Sequence, residues 1–171
     1  DFSEVKKSID LLKQQGVTDF KAYFSSHPDT AIELTKKIKV LDVNSSTLKM
    51  YHAPSKEELI DDTMQALSKG EVENNLEDFI AIAEDRTSNS WDGGDETMDG
   101  EPLEISLNWS VIPGYEHDFS KVIVTTIDIT ERKRAEDQLN RLFESEQHSH
   151  RITKSLREAN LALTHDIKLE A

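Results

Sequence analysis

Few residues of this chain combine the side-chain types and the spacing that catalysis or metal binding requires. Residues 93–96 have the sequence Gly-Gly-Asp-Glu, in which flexible backbone can admit a phosphate and carboxylates can hold Mg²⁺. The apolar strands that such a site needs beside it are missing, so we interpret this segment as a turn. His148 and His150 are two residues apart and point away from each other on a helix, which makes a poor metal pair. We therefore expect no catalytic residue and no metal site, and the sequence identifies no cofactor.

Composition and charge narrow the class further. The 171 residues suffice for one domain with an additional segment, and 36% of them are hydrophobic, enough for a modest core. The absence of Cys excludes disulfides, thiolate ligands and Cys nucleophiles. The net charge of −14 opposes nucleic-acid binding, which needs clustered Lys and Arg. No apolar run approaches the roughly 18 residues of a membrane span, so we expect a cytoplasmic segment outside the membrane.

The elements that must position any site begin with helices. Phe2, Val5, Ile9 and Leu12 recur at helical spacing, which predicts an amphipathic helix that ends before Gly16. Two short helices are predicted over 18–27 and 30–37, the first ending ahead of a Pro. The residues 38–43 alternate and are partly β-branched, and this pattern predicts a strand.

The middle of the chain predicts three more helices and then turns. Asn44 is a suitable cap for a helix that runs to Tyr51. Ser55 opens a Ser-x-x-Glu capping box for a second helix, which Gly70 ends. A third helical face covers 72–83. Beyond Arg86, turns are predicted at Asp92-Gly93-Gly94-Asp95 and at Asp99-Gly100.

The last part of the chain predicts a hairpin that leads into a long helix. Apolar and polar residues alternate strictly over 103–111, and the segment 121–129 is apolar and β-branched, so the two form an antiparallel pair. Asp128 and Glu131 then have capping-box spacing, and no Gly or Pro follows.

A heptad repeat on the long helix predicts a parallel dimeric coiled coil. Its centre is polar at Glu146 and Ser149, which weakens the pairing there. The alternative is one amphipathic helix that folds back on its own domain. The seam residues with apolar or small side chains are Ala135, Leu139, Leu142, Leu156, Leu163 and Ile167.

Two stretches of this sequence resemble a PAS domain followed by a signalling helix. They are VLDVNSSTLKMYHAPSKEELI at 40–60 and DGEPLEISLNWSVIPGYEHDFSKVIVTTIDITERKRAEDQL at 99–139. The resemblance implies an α+β fold in which short helices cover an antiparallel sheet. It divides the chain into a helical extension (1–37), a PAS domain (38–130) and a signalling helix (131–171). PAS domains usually open with a strand hairpin, and the helical sequence before residue 38 departs from that pattern.

The resemblance also implies a function. PAS domains sense a small molecule or a partner in their core and relay the change through their last strand to an outgoing helix. The signal junction would then consist of Asp128, Thr130 and Glu131. A homodimer without catalysis of its own would drive an effector domain outside this chain. Plain core is the favoured interpretation of each candidate pocket residue, and these residues are Leu48, Tyr51, Leu59, Met64, Phe79, Ile80, Leu107, Trp109, Ile123 and Ile127.

Two other interpretations stay open. A filled core would make the chain a ligand-free PAS dimerisation module. The residues His165-Asp166-Ile167-Lys168 resemble the phosphoacceptor box of sensor histidine kinases, the enzymes of two-component systems, which would make the chain a kinase fragment phosphorylated at His165. Ile167 lies on the predicted seam, and this argues against the second interpretation.

Overall fold

The computed structural model describes residues 1–69, 75–147 and 151. The chain forms two compact units, residues 1–129 and residues 130–171. The first unit is α+β, as expected, with helices followed by a three-stranded antiparallel sheet in the order β1-β2-β3. Its helices are α1 (Ser3–Gln14), α2 (Phe20–Ser26), α3 (Pro28–Thr35), α4 (Ser45–Met50), α5 (Lys56–Lys69) and α6 (Asn75–Ala83). Its strands are β1 (Ser88–Glu96), β2 (Pro102–Val111) and β3 (Val122–Asp128). In the second unit a helix covers 130–147.

Side-chain caps fix the starts of several helices where the sequence predicts them. The Asp19 carboxylate accepts from the backbone N–H of Ala22 at 2.9 Å, and the Asn44 side chain accepts from that of Thr47 at 2.9 Å. Ser55 Oγ accepts from the N–H of Glu58 at 3.2 Å, as the capping box predicts. The helix α3 begins at Pro28, two residues earlier than predicted, because Pro is well suited to a first helical turn.

The core lies between the sheet and the helices α1, α2, α3 and α6, and Trp109 is its centre. Trp109 is fully buried, and the rings of Phe2 and Phe119 contact it edge-on with centroids 5.8 and 6.3 Å away. The apolar face of α1 contributes Val5 and Ile9, both fully buried. The N-terminal helices therefore build the same core as the sheet.

The predicted strand over 38–43 is wrong, since this segment forms no regular element and pairs with no strand among the described residues. Lys39 exchanges backbone hydrogen bonds with Asp1, at 3.1 and 2.7 Å. The N–H of Val40 lies 3.5 Å from the Met64 sulfur of α5. A strand needs a neighbouring strand to accept its amides, and here a helix side chain takes that place.

Residues 98–100 form a turn, as predicted at Asp99 and Gly100, but the turn predicted over 92–95 is wrong, because these residues lie within β1 (Ser88–Glu96). Its register with β2 pairs Asn89 with Trp109 and Trp91 with Leu107. Asn89 and Trp91 are half-buried while Ser88 and Ser90 are exposed, so the burial alternates as in a strand. The glycines and acids of this segment suggested turns, but they lie in a sheet with one open face.

One of the two predicted domain boundaries lies inside the first unit, and the other lies next to the division between the units. The boundary at 37 and 38 lies inside the first unit, whose core includes Phe20, Phe24 and Leu34. The boundary at 130 and 131 lies next to the division between units. Several predicted residues lie outside the described part of the chain: Gly70, Val72, His148, His150, Leu156, Leu163, His165 and Ile167.

Candidate functional site

A buried carboxylate beneath the sheet collects three side-chain donors. Asp78 is 6% exposed. Its Oδ1 accepts from the indole N–H of Trp109 at 2.7 Å and from the Asn89 amide at 2.8 Å, and its Oδ2 accepts from the indole N–H of Trp91 at 3.1 Å. A carboxylate withdrawn from water needs such donors, because an unpaired buried charge is costly.

The secondary structure places these four residues together. Asp78 lies in the first turn of α6, with Phe79 next to it in the core. Asn89 and Trp91 are two residues apart on β1 and share one face of the sheet, and the pairing of Asn89 with Trp109 places the second indole on that face. We call Asp78, Asn89, Trp91 and Trp109 the carboxylate–indole cluster. It joins α6 to both β1 and β2 through one acid.

A second polar contact joins the end of α4 to the end of β1. The phenol of Tyr51 donates to the Asp95 carboxylate at 2.7 Å, and the Tyr51 carbonyl accepts from the N–H of Met98 at 3.0 Å. Partial burial, with the adjacent Asp95 charge, raises the pKa of Tyr51 above the ordinary value for Tyr. The phenol is therefore a donor at neutral pH, not a base.

A neighbouring contact joins His52, which follows α4, to Asp99 in the turn between β1 and β2. The Asp99 carboxylate accepts from the hydroxyl of the buried Thr97 and contacts His52 Nδ1 at 3.0 Å. These contacts, with the Thr97 hydroxyl contributing most, lower the pKa of Asp99. His52 and Asp99 are both largely exposed, and Thr97 bonds the acid rather than the imidazole, so no nucleophile is activated.

A charged contact holds α1 against the end of α6. The Lys13 ammonium bonds both oxygens of Asp85 at 2.8 and 2.9 Å, and the nearly buried Lys6 lies 3.5 Å from the same carboxylate. The hydrogen bond with Lys13 is the main cause that lowers the pKa of Asp85. Asp85 has a backbone φ of 58°, a conformation that Asp and Asn tolerate better than most residues.

The ten candidate pocket residues separate into three groups. Phe79 and Trp109 are buried in the core, with Ile80 and Leu107 packed against it. Leu48 on α4, Tyr51 directly after α4, and Leu59 and Met64 on α5 are half-buried or buried but lie outside that core cluster. Ile123 and Ile127 on β3 are the third group.

The expectation that Ile123 and Ile127 point into the core is wrong. They are 55% and 57% exposed. In the register of β3 with β2, Ile123 pairs with Ser110 and Ile127 with Ser106, whereas Trp109 pairs with Val124. Since side chains alternate between faces, both isoleucines lie on the face opposite to Trp109. The run 122–127 has no strict alternation of apolar and polar residues, so the sequence does not indicate which of its faces is buried.

Among the described residues, the helix over 130–147 carries large apolar side chains that are more than half exposed. Leu139, Leu142 and Phe143 are 67%, 62% and 60% exposed. Leu139 and Leu142 are seam residues of the predicted heptad, Ala135 is exposed one turn before them, and Phe143 flanks the seam. The helix presents an apolar stripe to its surroundings.

The residues around the predicted junction lie at the end of β3 and the start of this helix. Asp128 is the last residue of β3, and Thr130 and Glu131 are helical. Between them, Ile129 is buried, and its N–H donates to the Glu104 carbonyl of β2 at 2.8 Å. One residue separates the strand from the helix.

Other kinds of site are not seen in the described part of the chain. Its His, Asp and Glu residues form no group of three or more arranged to hold a metal ion. None of its helices has the length and apolar character required to cross a membrane. A cavity of about 440 Å³ is lined by Phe143, Glu146, Gln147 and Arg151 in the second unit, remote in sequence from the candidate pocket residues.

Sequence reasoning missed the central residue of the site. The need of the Trp109 indole for a partner was visible, but Asp78 is one acid among many in an acidic stretch. Its position directly before the buried Phe79, on an apolar helix, was the available signal. Trp91 was missed because its segment resembles a turn.

Comparisons with family models, with curated proteins and with solved structures find no match to this chain.

Proposed function

We propose that this chain is a cytoplasmic PAS-like sensory and dimerisation module of a signalling protein. In this proposal, binding of a small molecule or a partner changes the packing beneath the sheet. The change passes through β3 into a parallel coiled coil and reaches an effector domain outside the chain, such as a histidine kinase of a two-component system. The chain itself carries out no catalysis.

The observation that carries the proposal is the exposed apolar stripe on a helix that begins one residue after β3. Leu139 and Leu142 are more than half exposed, and covering them with another apolar surface would stabilise the helix. A second copy offers the same stripe, and heptad spacing allows the two to interlock. The short connection through Ile129, whose N–H is bonded to β2, supports transmission from sheet to helix.

Disulfide cross-linking tests the coiled coil directly, because the natural chain contains no Cys. We expect Leu142→Cys to form a cross-linked dimer under mild oxidation. Glu144→Cys is the matched control, since it lies two residues away at the heptad position opposite to the seam. Equal cross-linking of the two variants, or none for either, would contradict the coiled coil.

Transmission of a packing change from the core to the helix is tested by substituting a core residue and measuring cross-linking on the helix. We expect Trp109→Phe, which removes the indole donor to Asp78, to alter the ratio of cross-linking at Leu139→Cys and at Leu142→Cys. Leu11→Ala, on the exposed side of α1, is the control and should leave the ratio unchanged. A dimer whose ratio does not respond to Trp109→Phe would be a dimerisation module without relay.

One observation favours the second candidate, a ligand-free dimerisation module. The rings of Phe2 and Phe119 both pack against the fully buried Trp109, so aromatic side chains occupy space that a ligand would use there. Native mass spectrometry of the chain purified from its own host distinguishes the two candidates. A retained small molecule supports sensing, and a mass equal to that of the polypeptide alone supports the ligand-free module.

A further inference from the structure

The free edge of β3 differs from the other edge of the sheet in its chemistry. Because the sheet order is β1-β2-β3, β1 and β3 are both edge strands. β1 carries Asp92, Asp95 and Glu96, and charges on an edge discourage pairing with other strands. The run Val122–Ile127 on β3 carries no charge and consists of Val, Ile and Thr. This is the composition of a strand that pairs readily.

The hydrogen-bond pattern shows which amides of β3 face outward. The N–H of Ile129 donates to Glu104, and the N–H of Ile112 donates to Lys121, so the odd-numbered residues of β3 bond to β2. In an antiparallel pair the intervening residues direct their N–H and C=O away from the partner strand. Val122, Val124 and Thr126 are those residues, and no described residue bonds to their backbone. Val124 is 49% exposed.

The sequence of β3 is complementary to itself when it runs antiparallel. If Thr125 faces Thr125 of a second copy, Val124 pairs with Thr126 of that copy, and each pair exchanges both N–H···O bonds. The same register places Ile123 opposite Ile127 of the second copy on the outer face. The isoleucines that the fold leaves 55% and 57% exposed would then cover one another. A register shifted by one residue would lose this match, because it places apolar side chains on opposite faces.

From this symmetry we infer that the edge of β3 is an interface for a second copy of this chain, paired antiparallel about Thr125 to extend the sheet across two molecules. This interface is separate from the coiled coil of the proposed function. Each copy carries a net charge of −14, so the association strengthens as salt screens the repulsion.

The experiment first removes the coiled coil from the full chain. A background variant carries Glu at Leu139, Leu142, Leu156 and Leu163, and its mass is followed by sedimentation equilibrium over a range of concentration. We expect this background to remain a dimer at high concentration and to dissociate on dilution. A background that is monomeric throughout overturns self-pairing and leaves the edge to a strand from another protein.

Val124→Pro in the same background identifies the contact. Pro removes the outward N–H of residue 124 in both copies and leaves the bonds of β3 to β2 intact, because Pro is tolerated on an edge strand. We expect the dissociation constant to rise about ten-fold or more. Val124→Thr, which keeps the N–H, is the matched control. Equal dissociation constants for the two variants would overturn the proposal.

Ile127→Lys provides a test that does not depend on Pro. It places a charge on the outer face of β3, where the side chain of Ile127 is 57% exposed, and should weaken the dimer without lowering the denaturation midpoint. If dimerisation survives Ile127→Lys, the register about Thr125 is wrong. Ile127→Lys is measured in the same background without the coiled coil, so failure of this interface is distinguishable from failure of the proposed function.

Discussion

The indole N–H of Trp109 donates to the Asp78 carboxylate across 2.7 Å, in the interior of the first unit. The same carboxylate holds Trp91 and Asn89, so α6, β1 and β2 depend on a single acid. This arrangement makes Asp78 the residue whose replacement should disturb the sheet most.

We expect Asp78→Asn to lower the free energy of unfolding by about 1 to 3 kcal/mol, because an amide has one acceptor oxygen and turns an N–H toward an indole N–H. Asp78→Ala leaves all three donors without that acceptor and should cost more. Urea denaturation followed by Trp fluorescence measures both, since the chain has two Trp and both belong to the cluster. Asp62→Asn, on an exposed part of α5, is the control. Unchanged stability of Asp78→Ala would contradict the cluster's role.

The buried side chains of α1 should contribute to the free energy of unfolding as strongly as those of the other core helices and strands. Ile9→Ala removes a fully buried side chain and is expected to cost about 2 to 5 kcal/mol. Leu11→Ala on the same helix, where the side chain is 55% exposed, should change stability by less than about 0.5 kcal/mol. Thermal or urea denaturation provides the comparison. Similar losses for both variants would mean that α1 does not pack as described.

The contact of Lys13 with Asp85 predicts a dependence of stability on acid. The folded-state pKa of Asp85 is lowered, so its stabilising effect is complete above the unfolded pKa of about 3.9 and is lost as pH falls through the folded pKa. We expect Asp85→Asn, which suits the positive φ, to be less stable at pH 7 by about 1 kcal/mol or less, since the acid is mostly exposed.

Below pH 4 the difference between Asp85→Asn and the natural chain should shrink, and denaturation midpoints measured from pH 7 to pH 2 record it. Asp62→Asn again serves as the control, with a pH profile parallel to that of the natural chain. A constant difference across the whole range would show that Asp85 does not act through its charge.

The raised pKa of Tyr51 predicts that stability falls in alkali, whereas the lowered pKa of Asp85 predicts that stability falls in acid. The folded-state pKa of Tyr51 is raised, so its effect on stability is complete below the unfolded pKa of about 10 and is lost as pH rises above it. In absorbance titrations, Tyr51 should ionise as a late component above the ordinary range for Tyr, and Tyr51→Phe should remove that component. A late component that persists in Tyr51→Phe would assign it to Tyr23 or Tyr115.

Helix starts and the central hairpin could be predicted because their signals are local. The side chains of Asp19, Asn44 and Ser55 each cap within three residues, and the alternation over 103–111 needs only one buried face. The strand β1 could not be predicted in this way, because the contacts that hold its side chains involve Asp78, ten residues before the strand begins. The site was half predicted: the burial of Trp109 follows from its alternation, but the identity of its acceptor depends on how α6 packs.

The faces of β3 were ambiguous for a related reason. In the run 122–127 nearly every residue favours a strand, and nothing in the run distinguishes inside from outside. Only the register with β2 decides that Val124 shares a face with Trp109 and that Ile123 does not.

The shared core of α1, α2, α3 and the sheet limits how the first unit can be grafted onto other proteins. Phe2, Val5 and Ile9 touch the same aromatic cluster as Trp109. A chimera that exchanges only the stretch resembling a PAS domain, from residue 38 onward, would leave that cluster open on one side. Transplants should therefore carry residues 1–129 together, because a fusion point placed after residue 129 keeps the described core of the first unit in one piece.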